Sequence, residues 1–237
     1  MAWFFSGEEL LSDTYLLSGE NQKHARVLRL RPGEEVTVVT PGGEQCTCEV
    51  AEGDLLRVCS RKQCANEPDV FVTLYQALPK GDKMDAIVQK CVELGVSRIV
   101  PMLSARCVSR PDEKSLRKKR ERWQKIALQA AMQSRRGIIP EVTDCLSFAQ
   151  AAQHSTQNEQ TIFFYELGGA PVRDILSGKP QTLGMFIGSE GGFEEAEVNA
   201  VLQNGGKTAT LGKRILRAET APLAALSIIM YQTGNFD

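Results

Sequence analysis

Long apolar runs are missing from this chain of 237 residues. No stretch approaches the roughly 20 apolar residues that cross a bilayer. The apolar start Met1-Ala2-Trp3-Phe4-Phe5 ends at Ser6 and is too short for the hydrophobic region of a secretion signal. An excess of one charge is missing too: 28 Lys and Arg stand against 29 Asp and Glu. A polyanion would therefore have to be held by a local basic patch, because the overall field attracts none. Histidine is scarce, with two in the chain. A lone histidine is usually structural or a surface hydrogen-bonding residue, so His24 is assigned no catalysis. Neither G-x-G-x-x-G after a strand nor G-x-x-x-x-G-K-[ST] occurs, so a cofactor bound here is not held in the usual dinucleotide manner. The seven cysteines are scattered without a pairing pattern, which fits a reducing compartment and a soluble cytoplasmic protein. With 42% hydrophobic and 24% charged residues, the chain can bury a real core as one large domain or two smaller ones.

The first 69 residues read as a small β-rich domain. Residues 35–40 alternate with the period of a strand, Pro41-Gly42-Gly43 turns it, 45–50 returns, and 55–59 is a third strand. Before them, 21–30 reads as a short helix carrying Lys23, Arg26 and Arg29, with Arg31 just beyond. On composition alone a solvated face is the commoner meaning of such charge, and a phosphate-contacting surface is the functional one. Cys46 and Cys48 share one face of their strand, and Cys59 and Cys64 follow. Four cysteines could ligate zinc, but C-x-C followed by C-x-x-x-x-C is not a common zinc spacing. Small packing residues fit better, and no metal is expected.

A polar, proline-bearing junction at 66–69 marks a boundary, and 70–237 reads as a second domain. Residues 70–78 form a strand apolar enough for the middle of a parallel sheet. Residues 82–94 form an amphipathic helix with Met84, Ile87, Val88, Cys91 and Val92 on its stripe, stopped by Gly95. A strand at 98–103 completes a β-α-β order that begins a parallel α/β fold. Residues 114–132 predict one long helix whose first half is the most basic segment of the chain, with Arg135 and Arg136 beyond its far end. Segregated positive charge is a footprint of nucleic-acid binding, although exposed helices also carry it for solubility. A further strand at 160–165 leads into the loop 166–169. The final helix, 222–232, is apolar on nearly every side, which predicts burial all round, with one face on its own sheet and another on a second subunit.

Chemistry concentrates in two glycine turns. The apolar run 183–187 predicts a buried strand, and Gly188-Ser189-Glu190-Gly191-Gly192 follows it before a helix with carboxylates in its first turn. Residues 207–211 repeat the pattern, with Gly212, a polar loop, and a helix opened by Thr220 and Pro222. Glycines after a strand and before a helix suit close approach of a ligand to the backbone. They also suit an ordinary tight turn.

These residues carry a resemblance. Leu211-Gly212-Lys213-Arg214-Ile215-Leu216-Arg217-Ala218-Glu219-Thr220-Ala221, Lys90 with Glu93-Leu94-Gly95-Val96, Arg122-Trp123 and Gln133-Ser134 with Arg136 are similar to the bacterial family that methylates N3 of uridine 1498 in 16S ribosomal RNA. That family belongs to the trefoil-knot (SPOUT) methyltransferases. Its glycine loop usually reads Gly-Pro-Glu-Gly-Gly, from which Ser189 departs. The likeness runs through nearly the whole chain. It implies an α/β protein in two parts: an N-terminal PUA-like β-barrel that binds RNA (1–69) and a C-terminal parallel-sheet domain with a deep trefoil knot (70–237). It further implies S-adenosylmethionine as cofactor, 16S rRNA of the small ribosomal subunit as partner, and a homodimer.

Carried onto this chain, the resemblance places the cofactor among Glu166, Leu167, Ile187, Gly188, Glu190, Gly191, Gly192, Leu211, Gly212, Ile215 and Leu216. Arg217 is expected to orient the uridine and stabilise its anion, and Glu190 is the candidate base, with Glu219 a weaker one. Lys23, Arg26, Arg29, Arg31, Arg122 and Arg136 are expected on RNA phosphates. Two other readings share these features. A sibling enzyme could modify another rRNA or tRNA position or a ribose oxygen, and a non-catalytic ribosome assembly factor would keep the basic helix without a cofactor.

Overall fold

The computed structural model describes residues 1–176 and 178–236. The chain divides into two compact units, residues 1–67 with 131–139, and residues 68–130 with 140–237.

The first unit contains β1 (Ala2–Phe5), β2 (Thr14–Leu16), α1 (Gly19–Leu28), β3 (Glu35–Val39), β4 (Glu44–Val50) and β5 (Leu55–Gln63). They form one sheet in the order β1-β3-β4-β5-β2. β1 runs parallel to β3 and the other pairings are antiparallel. The apolar start of the chain is therefore an edge strand. Its Trp3 indole donates to the Arg136 carbonyl at 3.0 Å, which ties 131–139 into this unit. Phe4, Val36, Val38, Cys46, Cys48 and Leu56 form the fully buried centre of its core. Cys46 and Cys48 thus act as small packing residues, while Cys59 is exposed. Burial pushes the Cys48 thiol up to about 12, with the neighbouring Cys46 and Cys59 adding to it. α1 ends two residues earlier than expected because Arg29 adopts a left-handed conformation (φ 55°) and closes the helix. The His24 ring meets Phe4 edge-on at 5.6 Å, which suits a packing role.

The second unit contains β6 (Phe71–Ala77), α2 (Lys83–Glu93), β7 (Arg98–Leu103), α3 (Glu113–Gln133) except its last three residues, β8 (Glu141–Val142), β9 (Leu146–Ser147), α4 (Phe148–Ser155), β10 (Gln160–Phe164), β11 (Ala170–Pro171), α5 (Val172–Ile175), β12 (Thr182–Ile187), α6 (Glu195–Gln203), β13 (Lys207–Thr210) and α7 (Ala221–Gln232). Its eight strands are all parallel, in the order β11-β13-β10-β12-β6-β7-β8, with β9 also on β7. This is the expected α/β class. β12 lies between β10 and β6 and is buried from Leu183 to Ile187, which explains its unbroken apolar run. All five expected stripe residues of α2 are buried, and Met84, Ile87, Val88 and Val92 are each worth about 1.5–3 kcal/mol relative to exposure.

α7 departs from the expectation. Ala225, Leu226, Ile229 and Met230 are buried, but Ile228 is 37% and Tyr231 70% exposed. Its all-round apolarity covers one buried face and one open face within a single chain.

Candidate functional site

Strands β13, β10, β12 and β6 are adjacent and parallel, so their C-terminal ends share one edge of the sheet. Ligands favour that edge in open α/β folds. The loops leaving β10, β12 and β13 enclose a cavity of about 430 Å³, within the range of small-molecule sites. Tyr165 and Glu166 line it from the first loop. Ile187, Gly188, Ser189, Glu190, Gly191 and Gly192 line it from the second. Leu211, Gly212, Ile215, Leu216 and Arg217 line it from the third. Leu167, expected among the cofactor contacts, is 75% exposed and lies outside the lining. The β10 loop leaves the cavity after Glu166.

The glycine loop is also a tight turn. Gly192 N–H donates to the Ser189 carbonyl at 3.0 Å. Gly192 has a φ of +66°, and a Cβ there would lie 2.0 Å from Glu166 Oε1. Only glycine meets both demands without strain. The loop is anchored at both ends. Gln76, fully buried at the end of β6, donates from Nε2 to the Gly188 carbonyl at 3.3 Å. Phe193, also fully buried, has its ring 4.4 Å from that of Phe163. The segment after β7 braces the loop from outside, where Arg106 Nη1 donates to the Gly191 carbonyl at 3.3 Å. Glu197 accepts the Glu194 N–H at 2.9 Å and the Ala105 N–H at 2.8 Å. It joins that brace to the start of α6 and complements the helix dipole.

One ammonium group joins two of the cavity loops. Lys83 Nζ lies 2.7 Å from Glu190 Oε1 and 3.2 Å from Glu219 Oε2. Both Glu190 oxygens also accept the Lys80 N–H at 3.2 Å. Burial alone would raise the Glu190 carboxyl, but the Lys83 and Lys80 hydrogen bonds outweigh it and hold the group below its ordinary value. Glu219 is lowered by its own backbone N–H and, against burial, by Lys83. Lys83 is raised by its hydrogen bonds to the two carboxylates. A carboxylate so held is a weak proton acceptor. Glu190, the expected base, is placed where it accepts from Lys83 and Lys80 and ties its loop to the start of α2. Arg217 differs, since its side chain is 83% exposed at the rim and its nearest acid, Glu219, is 4.0 Å away.

Residues 66–230 match a family model described as an RNA methyltransferase domain, and 17–59 match an RNA methyltransferase PUA domain. The ribosomal RNA small subunit methyltransferase E of Bacillus subtilis is 38% identical over 232 residues, covering 93% of this chain and 91% of that protein. The protein of the same name from Aquifex aeolicus is 32% identical over 230 residues, covering 95% and 98%. The chain belongs to the ribosomal RNA small subunit methyltransferase E family. A crystal structure of such an enzyme from Neisseria gonorrhoeae, bound to S-adenosyl methionine, matches with a TM-score of 0.87 at 32% identity over 98% of both chains.

In this member of the methyltransferase E family, the basic residues separate into paired and open groups. Arg136, expected on phosphate, has a side chain only 4% exposed, and its guanidinium pairs with Glu67 at 2.5 Å inside the first unit. Arg122 is held by Asp85 and by Asp82 at 3.8 Å, and Trp123 donates to the same Asp85 at 3.1 Å. The Arg122 side chain nevertheless stays 58% exposed. Lys114, Arg117 and Lys118 share an exposed face of α3 and enter no ion pair among the described residues. In the first unit, Lys23 pairs with Glu20 at 2.9 Å and Arg26 with Asp54 at 3.5 Å. Arg29 and Arg31 are exposed, with no ion pair among the described residues.

Sequence reading missed Lys83, Gln76 and Arg106. One signal for Lys83 was available: a cation in the first turn of a helix opposes the macrodipole and needs a reason to be there.

Proposed function

We propose that the cavity holds S-adenosylmethionine and that the protein methylates N3 of uridine 1498 in 16S rRNA, in the cytoplasm. The observation that carries this is the convergence of three loops, two of them glycine turns, on one cavity with the Arg217 side chain exposed at its rim. The fit is chemical as well as spatial. The turns offer backbone groups to an adenine edge, Ile187, Leu211 and Leu216 offer apolar surface to a ring, and few polar contacts are needed for orientation.

The cofactor supplies an electrophilic methyl group on a sulfonium, whose leaving thioether needs no acid. What remains for the chain is to position the uridine and to favour loss of its N3 proton. In this reading Arg217 does both, as a cation at the rim beside the developing anion. With Glu190 and Glu219 tied to Lys83, neither carboxylate is assigned the proton, which passes to solvent at the open rim. Residues 1–69 anchor the RNA and 70–237 carry the transfer, with Arg29 and Arg31 from the first unit and Lys114, Arg117 and Lys118 from the second as the free cations. The second unit takes the knotted arrangement that its resemblance implies. The open face of α7, with Ile228 and Tyr231, forms the homodimer contact, and Tyr231→Glu should convert the sedimenting species to monomer.

Calorimetry with S-adenosylmethionine and mapping of uridine 1498 in rRNA from a deletion strain test the reading. Absence of binding, or a uridine still methylated in that strain, refutes it. Arg217→Ala should leave cofactor affinity intact and reduce methyl transfer by at least about a hundredfold; normal turnover would remove Arg217 from the chemistry.

A further inference from the structure

We propose that Lys83 is a positioning residue that locks the two glycine loops into one cofactor-binding surface, an inference that rests on the cofactor reading above. Glu190 belongs to the loop after β12, Glu219 to the segment between β13 and α7, and Lys83 to the first turn of α2. Three separate parts of the chain thus meet at one ammonium, 2.7 Å and 3.2 Å from the two carboxylates. The side chains are 34%, 27% and 27% exposed. An isolated pair this close to solvent does little. The arrangement differs in that one cation lies between two anions, with the exposed Arg217 more distant at 4.0 Å from Glu219 alone. Without the ammonium, two carboxylates on opposite loops are left facing each other, and the loops are driven apart. Lys83 also opens α2, the end at which a cation is electrostatically misplaced. Its contacts with the two glutamates offset that position.

Positioning and direct contact predict different outcomes when the carboxylates are neutralised. If Lys83 works by holding Glu190 and Glu219 together, Lys83→Met should weaken S-adenosylmethionine binding on the order of tenfold, the scale of coupling within one ion-pair network. Lys83→Arg should stay within about threefold of wild type, because it keeps the charge. Adding Glu190→Gln to Lys83→Met should recover part of the lost affinity, since it removes the repulsion. Turnover at saturating cofactor should change less than affinity does. Calorimetry on the full-length protein reads all four variants, including Glu190→Gln alone, and melting curves confirm that each is folded. Lys83→Gln replaces Lys83→Met if the latter does not fold. Wild-type binding with Lys83→Met unchanged overturns the positioning role alone. So does a loss that Glu190→Gln cannot relieve, which would make Lys83 a direct ligand. A wild-type protein with no affinity for S-adenosylmethionine overturns the cofactor reading and this inference with it.

Discussion

Gly192→Ala tests the glycine loop at the point where two constraints coincide. The residue has a φ of +66°, and an L-residue in the left-handed region costs roughly 1–2 kcal/mol. For a chain of this size, that lowers Tm by about 2–4 °C per kcal/mol. The new Cβ would lie 2.0 Å from Glu166 Oε1 and 2.8 Å from Cδ. Neither distance is tolerable, so the Glu166 side chain must leave. Glu166 is exposed and can swing out, so the collision itself costs little stability but empties one wall of the cavity. Strain carried in the free protein appears in Tm and cancels in binding, whereas strain that the free loop sheds is met when a ligand orders it. The two shares sum to the same roughly 1–2 kcal/mol, so the loss of cofactor affinity reaches about five- to thirtyfold where the free loop relaxes fully, at about 1.4 kcal/mol per factor of ten. A double-mutant cycle with Glu166→Ala separates the two parts. Because Gly192→Ala already displaces Glu166, Glu166→Ala should cost less in that background than it costs alone, and the two losses should fall well short of adding. Calorimetric affinities within error of additivity, or a Gly192→Ala protein that binds as wild type does, would refute the reasoning.

Three further outcomes follow from the structure. Arg136→Met leaves the mostly buried Glu67 carboxylate without its partner and should cost about 3–5 kcal/mol in urea unfolding; a surface-like loss below about 0.5 kcal/mol would restore Arg136 as a candidate phosphate ligand. Reversing Arg117 and Lys118 to Glu should weaken RNA binding and reduce the steepness of its salt dependence by about 0.7 per cation removed. Melting temperature should hold, because neither side chain enters an ion pair among the described residues. The pH dependence of cofactor affinity should follow the Lys83 cluster. Lys83 is raised, so its contribution is complete below the ordinary lysine value and is lost as pH rises through the elevated one. Glu190 and Glu219 are lowered, so theirs is complete above the ordinary carboxylate range and is lost as pH falls through the depressed values. The cluster should therefore add no pH dependence of its own between about pH 5 and pH 10, so wild type and Lys83→Met should share one calorimetric profile there; a midpoint in that window that Lys83→Met abolishes would contradict the ion-pair geometry.

What the sequence by itself determined is local. The stripe of α2, the apolar run of β12 and the strand-glycine-helix order at 188 and 212 each declare themselves within a few consecutive residues. Period, backbone freedom and capping are properties of neighbours in the chain. The two-residue strands β8, β9 and β11 span too little chain to show a period, and they exist because β7 and β13 are there to pair with them. Partner choice was decided by tertiary structure alone. Arg136 and Arg122 looked like free cations, yet they pair with Glu67 and Asp85. Glu190 looked like a free base until folding brought Lys83 and Lys80 to it across 107 and 110 positions of sequence. A charge is available for chemistry only if no opposite charge is folded against it. That depends on which distant segments meet, and no local pattern in the chain encodes it.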